Sequence, residues 1–154
     1  DHGPSVLALS RQGLPALRDK ADENLSARCA YVLAEAEGGS RQVTLLATGS
    51  EVSLAMDARK QLAAKGVRAA IVSMPCWKLF EAQDTAYRAS VLGTAPRVAA
   101  EAAVRFGWDR YIGAGGAFIG MKSFGESGPA PELFKHFGIT SDAVADAAIQ
   151  QIKG

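Results

Sequence analysis

Val43-Thr44-Leu45-Leu46-Ala47-Thr48-Gly49-Ser50-Glu51, with the residues that follow as far as Ser73, decides the fold. Val43 to Ala47 is a largely apolar run of strand length, too short for a helix of its own. Thr48-Gly49-Ser50-Glu51 is a turn, and the Ala- and Leu-rich stretch up to Lys65 has helical character. Thr48 and Glu51 have the spacing of a capping box, in which each side chain bonds the other's backbone amide in the first helical turn. Gly66 stands where a left-handed C-terminal cap belongs. Val67 to Ser73 is rich in β-branched residues and reads as the next strand. Strand, helix and strand within about 30 residues make a β-α-β unit, which requires a parallel pair with a crossover between them.

Working outward, the same alternation continues. Upstream, Ala30 to Ala34 gives a short strand closed by Glu35 to Ser40, with a turn at Gly38-Gly39. Residues 16–30 are charged and mixed, with Arg18, Asp19, Lys20, Asp22 and Glu23 close together, and they read as a linker. Val6 to Leu9 reads as a buried strand, and Ser10-Arg11-Gln12-Gly13-Leu14-Pro15 as the loop after it. The chain opens Asp1-His2-Gly3-Pro4 without Met and runs almost at once into that strand, the expectation for a cut end.

Downstream, Pro75 and Cys76 end the second strand of the unit. Leu79, Phe80, Gln83, Tyr87 and Val91 then recur at spacings of three and four and predict one amphipathic helix. Arg97 to Ala102 is a further strand, and the glycine-rich Tyr111 to Gly128 reads as mostly loop. A helix over Ala130 to His136 stops at Gly138. A last helix starts at a cap on Thr140 or Ser141 and runs through Val144, Ala147, Ala148 and Ile152. Repeated alternation of strands and helices implies an α/β domain: a three-layer sandwich around a mixed, mainly parallel sheet of about five strands.

Charge and cysteine usage narrow the function classes. Seventeen Lys and Arg against sixteen Asp and Glu leave a formal charge of +1 over 154 residues, without the basic cluster that phosphate-backbone binding uses to release counterions. Nucleic acid is therefore not an expected partner. Cys29 and Cys76 match neither a CxxC nor a zinc spacing, so a reducing, cytoplasmic setting is expected. No apolar run approaches the roughly 20 residues that cross a bilayer, so no membrane association is expected.

Most chemical motifs fail on inspection. Gly113-Ala114-Gly115-Gly116-Ala117-Phe118 puts Phe118 where a dinucleotide fingerprint needs its third glycine, the one that lets helix and strand pack closely. Gly115, Gly120 and Met121-Lys122-Ser123 miss the Walker spacing by one residue. Thr48-Gly49-Ser50 could offer helix amides to a phosphate, although an ordinary cap accounts for the same residues. His2 and His136 have no companion nucleophile, and exposed or capping roles suit them better. Glu101 interrupts an apolar strand near its carboxyl end, where α/β folds bind ligands; structural pairing is the simpler reading. Trp77, Phe80, Trp108, Tyr111, Phe118 and Phe124 read as core or domain-interface packing.

Several blocks taken together are more specific. Ala47-Thr48-Gly49-Ser50-Glu51-Val52-Ser53-Leu54-Ala55, Val72-Ser73-Met74-Pro75, Phe80-Glu81-Ala82-Gln83-Asp84 and Tyr87-Arg88-Ala89-Ser90-Val91-Leu92 come in order along the chain. Gly107-Trp108, Phe124-Gly125-Glu126-Ser127-Gly128-Pro129-Ala130 and Phe137-Gly138-Ile139-Thr140 follow. This series resembles the carboxy-terminal domain of the transketolases, and Leu9-Ser10-Arg11-Gln12 resembles the end of their pyrimidine-binding domain. Cys76 stands where Ser or another small residue is usual, and Gly128 where Ala is. Dihydroxyacetone synthase shares the plan.

The resemblance implies a division into residues 1–27, a remnant of the pyrimidine-binding domain and linker, and 28–154, the C-terminal domain. It implies that the parent enzyme moves a two-carbon ketol unit from a ketose phosphate to an aldose in the pentose phosphate pathway. The carbanion is stabilised by thiamine diphosphate, bound with a divalent metal, magnesium or calcium, at a dimer interface. The residues for cofactor, metal and catalysis would lie upstream of Asp1. No catalytic, cofactor or metal residue is then expected in this chain, which alone would be inactive and would support the fold or the homodimer. The upstream domains and the sugar phosphate substrate are the implied partners. Arg11 alone corresponds to a substrate contact, similar to the arginine that grips the donor's phosphate; a guanidinium suits that task through its planar, bidentate donors. A freestanding anion-binding module at Thr48 to Glu51, or a regulatory domain, is the alternative.

Overall fold

The computed structural model describes residues 3–4, 6–18 and 22–154. Five strands are present among them: β1 (Tyr31–Ala34), β2 (Val43–Ala47), β3 (Ala69–Ser73), β4 (Arg97–Val104) and β5 (Ala117–Met121). The helices are α1 (Glu51–Ala64), α2 (Trp77–Glu81), α3 (Thr85–Leu92), α4 (Asp109–Ile112), α5 (Ala130–His136) and α6 (Ser141–Lys153), with a 3-10 turn at Leu25–Arg28. The strands form one sheet in the order β1-β3-β2-β4-β5. β1 is antiparallel to β3, and every other pair is parallel. This is the expected mixed, mainly parallel sheet.

β2 lies at the centre of the sheet, and its five residues are all buried because both faces are covered. Val43, Leu45 and Ala47 point to the face packed by α1 and α6, against Ala55, Ala58, Leu62, Val144 and Ala148. Leu46 points to the other face, with Val72 and Ala99, against Phe80, Val91, Trp108 and Tyr111. Alternate residues of one strand thus feed two cores, which makes three layers. Leu45 and Leu46 are fully buried, each stabilising the fold by about 1.5–3 kcal/mol through removal of apolar surface from water.

Local chemistry explains where the elements stop. Past α1, the amide of Gly66 bonds Ala63 O at 2.9 Å and that of Val67 bonds Leu62 O at 2.9 Å, with Gly66 at φ 74. This is a left-handed cap of the Schellman type, as expected at that glycine. Thr140 caps α6, its hydroxyl accepting from the Ala143 amide at 3.2 Å. At the start of α1 the capping box does not form. Ser50 is the N-cap residue, its backbone already helical and its side chain making no bond to the helix amides; its hydroxyl instead donates to Glu51 at 2.8 Å.

Three other expectations are corrected. The helix expected through Leu79 and Val91 is two helices, because the Asp84 carboxylate accepts from the Tyr87 amide at 2.8 Å and starts α3 afresh. An apolar period continuing across such a cap conceals the break. The glycine-rich stretch contains β5, whose residues Ala117 to Gly120 pair with Val98 to Glu101 of β4; tertiary pairing overrides the low strand propensity of Gly120 and the loop character of the glycines just before the strand. Val6 to Leu9 is no buried strand here: Val6 is 96% exposed, Leu7 76% and Leu9 80%, and the segment joins neither edge strand of the sheet, β1 or β5. Of the residues singled out in the sequence, Asp1, His2, Asp19 and Lys20 lie outside the described residues.

Candidate functional site

The chain leaves β2 through α1 to reach β3 on one side, and returns from β3 through α2 and α3 to β4 on the other side of β2. The strand order therefore reverses beside β2, and at such a switch point the diverging connections leave a crevice at the strands' carboxyl ends. A cavity of about 670 Å³ lies there. Thr48 to Glu51 line it after β2, Pro75 and Cys76 after β3, Glu101 and Ala102 from β4, and Cys29 ahead of β1. The segment Val6 to Ser10 lines it from outside the sheet.

Two carboxylates define the chemistry of this crevice. Glu51 is 5% exposed at the first turn of α1. Burial pushes its carboxyl above the usual glutamate range, and the neighbouring Glu101 adds to the rise; the bond from the Ser50 hydroxyl and the backbone amides of Glu51 and Ala102 oppose it. The helix N-terminus, which favours negative charge, is thus served by the chain's own glutamate. An external phosphate at Thr48 to Glu51 would meet two carboxylates, so the anion-site alternative finds no support in this geometry.

Glu101 has the structural pairing that its sequence position suggested. The Trp108 indole N–H donates to its Oε2 at 2.6 Å, and Trp108 is fully buried. Trp108 packs edge-on to Trp77 with ring centroids 5.3 Å apart, and lies 6.2 Å from Tyr111 and 6.1 Å from Phe118. The aromatic residues singled out in the sequence are therefore core, apart from Phe124, which is 97% exposed. Gly107 makes room for them: it sits at φ 89, and a Cβ there would collide with the Trp77 ring.

The other sequence candidates are scattered. Arg11 is exposed on the loop directly after Ser10 and makes no hydrogen bond or ion pair among the described residues. His136 ends α5 and packs edge-on to Phe137 at 4.8 Å. Gly113 closes α4, its amide bonding Asp109 O at 2.9 Å, so the glycine loop turns a helix into β5. No cluster of three His, Cys, Asp or Glu among the described residues could hold a metal ion. No helix among them is long and apolar enough to cross a membrane.

Sequence reasoning missed two groupings. Glu51 and Glu101 come together only because β2 and β4 are neighbours, and Cys29 meets Cys76 only because β1 pairs with β3. The signal available was that all four lie in or near the segments that enter or leave strands, but strand order is not written in any local pattern.

Comparison with known proteins places this architecture. The family model of the Transketolase-like TK C-terminal domain matches residues 29–140. A transketolase of Sinorhizobium medicae is 58% identical over 152 residues, covering 97% of this chain and 22% of that protein. Transketolase 1 of Escherichia coli is 47% identical over 150 residues, covering 95% of this chain and 22% of that protein. The solved transketolase from Leishmania mexicana superposes with a TM-score of 0.76 at 42% identity, covering 83% of this chain and 18% of that one. The chain thus spans about a fifth of the length of the relatives it matches. A matching family model, high identity along nearly the whole chain and a shared fold lead to one conclusion: this chain belongs to the transketolase family, and its counterpart there is the C-terminal part.

Proposed function

We propose that this chain serves a transketolase, the enzyme that transfers a two-carbon ketol unit from a ketose phosphate to an aldose, as a supporting domain without turnover of its own. The observation that carries this reading is the 58% identity to a transketolase over 152 residues that make up only 22% of that protein. In this reading thiamine diphosphate and its divalent metal are held by the domains that make up the rest of the enzyme, and this domain stiffens the homodimer in the cytoplasm. The switch-point crevice does not fit that cofactor, because Glu51 and Glu101 would face its diphosphate across a partly desolvated site.

Arg11 is the one residue assigned a substrate contact, to the donor's phosphate. Its exposure on a loop leaves the guanidinium open to an anion brought by a neighbouring domain. The test belongs in a complete transketolase polypeptide carrying this sequence. Arg11→Ala removes a charge-assisted hydrogen bond of about 1.5–3 kcal/mol, a loss of roughly tenfold to a hundredfold in kcat/KM for a phosphorylated ketose donor. A donor without phosphate, such as hydroxypyruvate, should be nearly unaffected, and Arg11→Lys should recover only part of the loss. Equal losses for both donors would remove Arg11 from the substrate site.

A further inference from the structure

We propose that Cys29 and Cys76 form a redox-active dithiol that closes to an intramolecular disulfide on meeting a small-molecule disulfide such as oxidised glutathione. The two cysteines are far apart in sequence, yet the amide of Cys76 donates to the carbonyl of Cys29 at 3.2 Å. Standard bond lengths keep two Cα atoms joined by such a bond within about 7 Å of each other, the separation beyond which a disulfide cannot form without backbone movement. The side chains share one site as well: both thiols are free and both line the switch-point crevice, the Cys29 thiol donating to Ser26 O at 2.8 Å in the reduced state.

The backbone holds this arrangement from both sides. Cys29 closes the 3-10 turn Leu25–Arg28 just ahead of β1, and Cys76 follows β3. β1 and β3 are paired, with Tyr31 opposite Ser73, so Cys29 just ahead of β1 and Cys76 just past β3 meet at the same end of that pair. Cys29 also has φ 58, the sole residue other than glycine in the left-handed region among the described residues. A side chain held there requires the surroundings to fix it, and such positions gather at functional sites.

Exposure sets the order of events. Cys29 is 6% exposed, and burial together with the Cys76 thiol pushes its own thiol up, so it is the poorer first nucleophile. Cys76 is more open to solvent. The Cys76 thiolate attacks one sulfur of oxidised glutathione; that S–S bond breaks, and one glutathione thiolate leaves with the electron pair. Cys29 then loses its proton to solvent and attacks the Cys76 sulfur of the mixed disulfide, expelling the second glutathione. The protein's two thiols give up two electrons and two protons, and the oxidant takes them up as two glutathione thiols. In a reducing compartment such a bond is transient, as a sensor requires.

The experiment treats the native chain, without denaturant, with mixtures of reduced and oxidised glutathione, quenches with a thiol-alkylating reagent and reads intact mass and peptide maps. Expected is a product lighter by two hydrogens, in which the Cys29 and Cys76 peptides are joined, reverting as reduced glutathione is added. Cys29→Ser should instead accumulate glutathione on Cys76, and Cys76→Ser should stay unmodified. A wild-type chain that keeps both thiols, stops at the mixed disulfide, or forms the bond only when urea is added would overturn the proposal, and this arm depends on no variant folding.

Discussion

Replacing Glu101 by alanine removes the acceptor of the Trp108 indole N–H, which is bonded at 2.6 Å within a fully buried aromatic cluster. No other hydrogen bond of that indole is present among the described residues, so Glu101→Ala leaves a buried donor without a partner unless water enters. Leaving such a donor unsatisfied costs about 1–3 kcal/mol, and hydrogen bonds to charged groups contribute in the same range. Glu101→Gln keeps a carbonyl oxygen in the same place and removes the like-charge neighbour of Glu51. The expectation is a loss of about 2 kcal/mol for alanine and under about 1 kcal/mol for glutamine. Urea unfolding followed by far-UV circular dichroism measures both, since the midpoint should move without a change in slope. The aromatic near-UV signal should weaken in the alanine variant alone. A Glu101→Ala chain as stable as wild type, or a glutamine variant that loses as much as alanine, would refute the assignment of Glu101 to this structural role.

Gly107→Ala should destabilise by about 1–3 kcal/mol from its φ of 89 alone, and by more because the added carbon meets the Trp77 ring; an unchanged melting temperature would contradict this packing. The two perturbed glutamates should act on opposite sides of the ordinary glutamate range. Glu35 is held low, first by the Arg41 guanidinium that bonds both its oxygens at 2.7 Å. Its contribution is present above the ordinary value and lost as pH falls through the lowered one. Glu51 is raised by burial, so the folded chain binds more protons than the unfolded one, and stability falls as pH climbs from the ordinary value through the raised one. Urea midpoints against pH should show Glu35→Gln closing its gap to wild type at low pH, and Glu51→Gln gaining on wild type above the ordinary range. Difference curves of the same direction for both variants would show that one of the two environments is misassigned.

The central β-α-β unit was legible because its signals are local: an apolar run, a turn, a helix capped at Gly66 and a β-branched strand. The break at Asp84 was hidden because the apolar period runs straight across it, and β5 because the glycines around it look like loop until Val98 to Glu101 offer Ala117 to Gly120 a ladder. Glu101 could be marked as a carboxylate needing a partner, yet nothing in the sequence pointed to Trp108. The acid pair and the thiol pair depend on which strands are neighbours, and only tertiary structure supplies that. The role proposed for Arg11 comes from resemblance alone, since an exposed loop arginine has no local signature of function.

Calorimetric titration of this chain with thiamine diphosphate and magnesium tests most directly whether it is a supporting domain of a transketolase rather than a site of the chemistry. The expected result is heat no greater than that of dilution, with no ketol transfer above a blank in the same solution. A saturable isotherm, or turnover of a ketose phosphate by the chain alone, would contradict it.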